Sequence, residues 1–240
     1  MAPGRASLRQ RGLSVTAGRL VLATLVVVVG VAAAGASTAL PKSASTACTG
    51  AMTGNINGNL MVPAGASCIL QKAHVRGNIH ARRRSSLFLV GDVTVDGNIS
   101  DPPNTSVQIA SPSQRGPNTI GGNVSSAVVI CGAVVDGNVT MLGNTFEVAV
   151  GGSEAGAACQ PNGGGNKISG NVTVIHNAPT FFRVADNKVG GNVTIIDTAG
   201  AATKRVLNNS IRGNLACLHN DQPFVRSGNV ASLSVGQCAP

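Results

Sequence analysis

The sequence predicts an all-β fold, a parallel β-helix (solenoid) of about eight coils, from three observations. A five-residue phrase occurs eight times: a β-branched residue, any residue, Gly-Asn, and then Val, Ile or Leu. Its successive Asn residues lie 15 to 33 residues apart, centred on about twenty, a period typical of solenoids. The composition, with 31 Gly, five Phe and no Trp or Tyr, suits a narrow interior of stacked aliphatic side chains.

The Gly-Asn pair is predicted to turn the chain at one corner of each coil. Gly reaches positive φ without penalty and Asn tolerates it better than most residues. The eight phrase residues are Asn59, Asn78, Asn98, Asn123, Asn138, Asn171, Asn192 and Asn214. Two interpretations stay open for their side chains: an inward ladder of hydrogen bonds between coils, or turn formation alone. A second Asn lies two residues before the β-branched residue in four coils, at Asn118, Asn166, Asn187 and Asn209.

The segments between corners favour strands over helices. Val172-Thr173-Val174 and Val193-Thr194-Ile195 alternate with period two and are rich in β-branched residues. Gly and Asn interrupt the chain about every ten residues, which a helix tolerates poorly. We therefore expect the solenoid to occupy residues 53–240.

The N-terminus predicts export. Four Arg residues precede an apolar run at 20–36, and small residues follow it, the pattern of a secretory signal peptide. The alternative is an uncleaved membrane anchor, because seventeen residues is near the lower limit for spanning a bilayer. We assign 1–39 to a helical signal peptide or anchor, with cleavage between about Ala36 and Leu40, and 40–52 to a linker and N-terminal cap. The expected location is outside the cell or on the extracellular side of its membrane.

The six cysteines predict three structural disulfides. All of them follow the export segment, where oxidation is expected, and none forms a C-x-x-C pair. In sequence order they lie 20, 28 and 21 residues apart within pairs. A residue one coil further on stacks about 4.8 Å away, which a disulfide can bridge. The predicted pairs are Cys48–Cys68, Cys131–Cys159 and Cys217–Cys238.

The phrase, the export segment and the ending Gly213-Asn214-Leu215-Ala216-Cys217 … Gly236-Gln237-Cys238 resemble uncharacterised secreted Gly-Asn-repeat proteins of actinobacteria. The resemblance covers about residues 48–240. It implies a right-handed β-helix and export, and it implies no activity. A looser likeness, resting on the glycine-punctuated coil alone, is to bactofilins, which are polymer-forming β-helices. The cysteines and the export signal depart from that pattern.

No motif indicates catalysis, a cofactor or a metal. Only nine acidic residues occur, and the four His residues lack metal-ligand spacing. Asp96 and Asp136 share one phrase position and could share a face, although a solvent-facing role before a turn explains them as well. We expect a protein that is not an enzyme; the alternative is a carbohydrate-active enzyme of the polysaccharide lyase or hydrolase kind.

A basic stretch is the strongest sequence indication of a binding site. The candidate polyanion-binding residues are Lys72, Arg76, Arg82, Arg83 and Arg84. Beyond residue 39 the chain carries fourteen basic and nine acidic residues, a balance too mild to indicate nucleic-acid binding. We therefore expect a structural or surface-binding protein of the cell envelope, with an anionic wall polymer or lipid surface as partner. Self-association through the solenoid ends, whose strand edges are unpaired, is a further expectation.

Overall fold

The computed structural model describes residues 45–103, 105–111, 115–152, 159, 164–200, 203–221 and 224–240. In these residues the chain forms a parallel β-solenoid of about eight turns, as the sequence predicts. Every strand pairs in parallel with strands one coil away. Successive strands occupy three faces in turn, so that each coil visits the first, second and third face before it reaches the next Gly-Asn corner.

The first face is a ten-stranded sheet whose strands, apart from the two terminal ones, follow the Gly-Asn phrases. Its strands are β1 (Ser45–Ala47), β3 (Asn59–Val62), β5 (Ile79–Ala81), β8 (Ile99–Ser100), β11 (Val124–Ser125), β14 (Val139–Leu142), β17 (Val172–Ile175), β20 (Val193–Ile196), β23 (Asn214–Leu218) and β25 (Leu233–Gly236). The first strand thus begins inside the segment expected to be linker and cap.

The second and third faces are joined into one fifteen-stranded sheet, because β2 (Ala51–Ile56) and β4 (Ser67–Val75) run through both. The second face contains β6 (Ser86–Val90), β9 (Ser106–Ala110), β12 (Val129–Cys131), β15 (Glu147–Val150), β18 (Phe181–Ala185), β21 (Lys204–Leu207) and β24 (Phe224–Ser227). The third face contains β7 (Thr94–Val95), β10 (Asn118–Ile120), β13 (Ala133–Val135), β16 (Lys167–Ile168), β19 (Lys188–Val189) and β22 (Ser210–Ile211).

The core is a stack of aliphatic side chains inside the solenoid. The β-branched residue that begins each phrase points inward from the third face. The Val, Ile or Leu that ends the phrase points inward from the first face. One such row on the first face is Leu60, Ile79, Ile99, Val124, Val139, Val172, Val193 and Leu215. Because each row repeats similar side chains at the strand spacing, few large residues are needed to fill the interior.

The Asn residues of the phrase form a hydrogen-bond ladder, on the outer surface. From Asn78 to Asn214, each backbone N–H donates to the Oδ1 of the Asn one coil earlier, at 2.7–2.8 Å. The side chains are half-buried in the first coils and exposed from Asn98 onward. The ladder interpretation is therefore confirmed, but its inward orientation is wrong.

Close approach between coils explains the Gly of each phrase. Only Gly58 of the eight has a positive φ, so conformational freedom does not account for the others. A Cβ placed on Gly97 would lie 2.5 Å from Asn78 Oδ1 and 2.8 Å from the carbonyl oxygen of Gly77. Any side chain there would displace the ladder, which requires Gly at this position.

The second set of Asn residues forms a buried ladder at the corner between the second and third faces. Asn166, Asn187 and Asn209 are each at most 2% exposed, and the ladder continues to Asn229. Asn187 is typical: its Oδ1 accepts from the backbone N–H (3.0 Å) and Nδ2 (2.9 Å) of Asn166, and its Nδ2 donates to Val150 O (2.7 Å) and Asn209 Oδ1 (2.9 Å). These bonds satisfy backbone groups that turn away from the sheets.

A third ladder, which the sequence analysis did not predict, occupies the corner between the first and second faces. The Asn144 N–H donates to Asn177 Oδ1 (2.8 Å), and the Thr198 N–H donates to Asn220 Oδ1 (2.9 Å). The Asn220 N–H in turn donates to Gln237 Oε1 at 3.0 Å. The turn at this corner is made by the preceding residues, which have positive φ: His176, Asp197 and His219.

All three predicted disulfides are present, with Cα–Cα distances of 5.5, 5.7 and 5.2 Å for Cys48–Cys68, Cys131–Cys159 and Cys217–Cys238. The first and third lie in the core at the two ends of the solenoid. Cys131 and Cys159 instead belong to a separate outer cluster with Val129 and Ala149. This bridge therefore fastens Cys159 to the outer side of the second face, a role different from coil-to-coil stacking.

The predicted export segment lies outside the described residues. In the part of the chain that the structure covers, no helix is long and apolar enough to cross a membrane.

The buried ladder should contribute strongly to stability. Replacing Asn187 by Ala removes four hydrogen bonds and leaves buried donors and acceptors without partners, so we expect a loss of about 3 kcal/mol in the free energy of unfolding. Asn55→Ala, at an exposed strand position, is the control and should change it by less than about 0.5 kcal/mol. Equal urea midpoints for the two variants would contradict this role of the ladder.

Candidate functional site

A groove on the outer side of the third face collects basic side chains. It lies over β16, β19 and β22 and has a volume of about 440 Å³. Its polar lining consists of Lys167, Lys188, Arg212, Ser169 and Ser210. The inward positions between them are filled by the core residues Ile168, Val189 and Ile211, so strand alternation directs the basic and hydroxyl side chains outward.

The two lysines of the groove are direct neighbours. Lys167 and Lys188 are register partners in β16 and β19, so their Cα atoms are about 4.8 Å apart. Ser210 follows in the same row, and Arg212 lies two residues beyond it. Like charges directly opposite each other destabilise a sheet. Their juxtaposition therefore costs stability unless an anion neutralises it.

No acidic side chain of the described residues neutralises the groove. Among these residues, no ion pair joins Lys167, Lys188 or Arg212 to a carboxylate. Asp186, the acid nearest to Lys188 along the chain, accepts a hydrogen bond from Asn208 Nδ2 at 3.2 Å and has Arg183 at 3.8 Å. Within the described residues, the groove therefore presents to the solvent cations that make no ion pair.

The structure distributes the five basic residues predicted from the sequence over three corners. Lys72 lies at the bend of β4 between the second and third faces, and Arg76 immediately precedes the Gly-Asn corner. Arg82, Arg83 and Arg84 form the turn between β5 and β6, at the corner between the first and second faces. The five do not form one continuous patch.

The three consecutive arginines are all exposed, as burial cost predicts. Ser85 holds their turn closed, because its Oγ and its N–H donate to the Arg82 carbonyl oxygen at 2.6 and 3.0 Å. Arg84 has a φ of 60°. The turn therefore presents a second, separate group of cations.

The sequence analysis missed the groove although a signal was present. Lys167 and Lys188 each directly follow an Asn of the buried ladder, in Asn166-Lys167 and Asn187-Lys188. Two cations at the same position of adjacent coils must lie side by side on one face. Reading the phrase together with its flanking residues would have found them.

The described acidic residues show no paired arrangement on the third face. Asp96 and Asp136 occupy equivalent positions two coils apart, with Gly121 in the coil between them. Asp96 Oδ1 lies 2.8 Å from His74 Nε2. Within the described ranges, no group of three or more His, Cys, Asp or Glu side chains is arranged to hold a metal ion.

The C-terminal end of the solenoid exposes apolar side chains. Val225, Val230 and Leu233 are 49–69% exposed, and β25 is the last strand of the first face. These residues mark the end of the solenoid to which the prediction of self-association applies.

Comparison of the chain with protein-family models, curated proteins and solved structures finds no match. The resemblance to secreted Gly-Asn-repeat proteins therefore stays a prediction.

One carboxyl group is buried inside the solenoid. Asp101 follows β8 and is 9% exposed, and neither of its oxygens has a hydrogen-bond partner among the described residues. Burial raises the pKa of Asp101 from 3.8 to about 8. The carboxyl is therefore protonated in the folded protein at neutral pH.

Asp101 should make stability fall with rising pH. Its folded pKa is above the unfolded value, so its contribution is fully present below about pH 4 and is lost as the pH rises through about 8. We expect Asp101→Asn to raise the urea midpoint at pH 8 relative to the parent and to change it little at pH 4. Asp136→Asn, at an exposed position, is the control. A parent stability that is flat between pH 4 and pH 8 would contradict the assignment.

Proposed function

We propose that this protein is an exported, disulfide-stapled, non-catalytic β-solenoid that binds phosphate-bearing polymers of the cell envelope. The row of Lys167 and Lys188, extended by Arg212 and without an ion pair among the described residues, carries the proposal. A protein that only needed a stable sheet would gain by placing an acid or a neutral residue opposite one of these lysines.

The groove suits a repeating anion. Lysine ammonium groups are compact point charges, and the Arg212 guanidinium can donate two parallel hydrogen bonds to one phosphate. The hydroxyls of Ser169 and Ser210 add donors between the cations. Because the cations repeat along the solenoid axis, an extended phosphodiester chain lying along that axis would meet several of them at once.

The turn at Arg82, Arg83 and Arg84 offers a second contact for the same ligand class. It lies on a different corner and several coils away from the groove. Two weak cationic contacts on one rigid solenoid raise the overall avidity for a long polymer when the polymer can reach both. A lipid surface, by contrast, meets one side of the molecule.

Three observations support export. The N-terminal pattern of Arg residues, apolar run and small residues is that of a signal peptide or anchor. Three disulfides form and persist in an oxidising compartment. The likeness to secreted Gly-Asn-repeat proteins, with the right-handed coil that it implies, points the same way.

Self-association through the solenoid ends is part of the proposal. The exposed Val225, Val230 and Leu233 lie at the C-terminal end, where strand edges are unpaired. Stacking of ends would multiply the cationic grooves along a longer axis.

The proposal predicts that charge in the groove controls polymer binding. Lys167→Ser with Lys188→Ser should weaken binding of poly(glycerol phosphate) at low salt by about thirtyfold, since each of the two lost charge contacts is worth about 1 kcal/mol. Lys167→Arg with Lys188→Arg keeps the charge and should keep most of the affinity. Titration calorimetry at two salt concentrations gives both the affinity and its salt dependence.

The controls distinguish the groove from the arginine turn, a membrane surface and an enzyme. Arg226→Ser removes an exposed cation outside the groove and should leave the affinity unchanged. If only the triple variant Arg82→Ser, Arg83→Ser and Arg84→Ser loses binding, the turn is the site and the groove is not. If the lysine-to-serine variant loses affinity for anionic-lipid vesicles but keeps its affinity for the polymer, the ligand is a membrane surface. Cleavage of a polysaccharide would favour the enzyme alternative.

A further inference from the structure

A second pocket lies on the outer side of the second face, and the described residues that line it include no basic side chain. Its volume is about 270 Å³. It is lined by Thr105, Ser106, Gln108, Val128, Asn144, Thr145, Phe146 and Glu147. The strands β9 and β15 supply the outward-facing Ser106, Gln108 and Glu147. This pocket belongs to a face different from that of the cationic groove.

The aromatic ring of this pocket is exposed without a structural need. Phe146 is 79% exposed, whereas Phe182 is buried in the core and Phe224 packs against the core. The chain has only five Phe residues and no other aromatic side chain except His. An exposed large apolar side chain in a pocket indicates a binding role more often than a packing role.

The backbone that carries the ring is held in place. The Phe146 carbonyl oxygen accepts hydrogen bonds from Thr180 Oγ1 (2.6 Å), the Thr180 N–H (2.9 Å) and the Phe181 N–H (3.3 Å). The next coil therefore fixes the segment that carries the ring. A fixed backbone reduces the entropy that the segment loses when a ligand covers it.

The remaining lining groups match a ring of hydroxyls. The Gln108 amide and the Ser106 and Thr145 hydroxyls supply both donors and acceptors around one apolar surface. A saccharide has an apolar face of C–H groups and a rim of hydroxyls, which is the complement of this lining. The described lining residues include no basic side chain that would attract an anionic sugar.

We propose that this pocket binds one unit of an uncharged saccharide, which stacks on Phe146 and forms hydrogen bonds to Gln108. The volume is below the usual range of drug-sized sites, about 300–1,000 Å³, and fits one sugar ring with its neighbours outside. The described lining supplies a single carboxylate, whereas glycoside hydrolysis needs two. The site is therefore a binding site, and it is independent of the anion groove.

The test uses the unaltered protein first. Saturation-transfer NMR with a neutral trisaccharide, cellotriose or N,N′,N″-triacetylchitotriose, should show transfer to the C–H protons of one terminal or central ring. Phe146→Ala should raise the Kd by about tenfold. Val225→Ala, at an exposed apolar position in β24 of the same face and outside the pocket, is the control and should not change it. Circular dichroism confirms that both variants are folded.

A second measurement follows ligand binding by tryptophan fluorescence. The chain contains no Trp or Tyr, so Phe146→Trp introduces a single fluorophore at the pocket. A saturable blue shift of its emission with the trisaccharide, lost when Gln108→Ala is added, is the expected result. The proposal is overturned if neither trisaccharide gives transfer or a shift up to its solubility limit. It is also overturned if the trisaccharide is hydrolysed or if only a polyuronate binds.

Discussion

The hydrogen bonds from amide side chains at the three corners are the interaction on which the solenoid depends. Strand ladders join the coils along the faces, but they end where the chain turns, and the turning backbone groups need other partners. Asn side chains supply them at each corner, outside in the Gly-Asn ladder and inside in the two others. Each ladder repeats at the coil spacing, so it keeps the coils in register. The disulfides then close both ends and fasten one segment.

Register gives the surface its chemistry. Because Asn166 and Asn187 are stacked, Lys167 and Lys188, which follow them, must also be stacked and outward. The same alignment sets β9 beside its neighbours and places Gln108 near Phe146. A solenoid therefore converts a repeated sequence position into a row of identical groups, which is how the cationic groove arises. Separate faces keep the two sites chemically distinct.

Sequence reasoning reached the fold and the disulfide pairs because both depend on period. It left open whether the phrase Asn residues form a ladder or only turns, and the ladder that it considered had the wrong orientation, since side-chain direction at a corner depends on backbone angles that a period does not contain. The Gly of the phrase was explained by φ, whereas contact with the previous coil requires it, as at Gly97. The ladder through Asn144, Asn177 and Asn220 was missed, although each lies six residues after a phrase Asn. The pocket at Phe146 joins distant segments and has no local signal.

Amide hydrogen exchange at the Gly-Asn corner tests the central role of the ladders most directly. The backbone N–H groups of Asn123, Asn138 and Asn171 belong to exposed residues, so exposure alone predicts fast exchange, whereas the ladder predicts strong protection. Asn138→Ala removes the acceptor of the Asn171 N–H and should accelerate exchange there by at least about tenfold, with Asn123 little changed. Corner amides that exchange as fast as Arg83 in the parent protein would contradict the central role of the ladders.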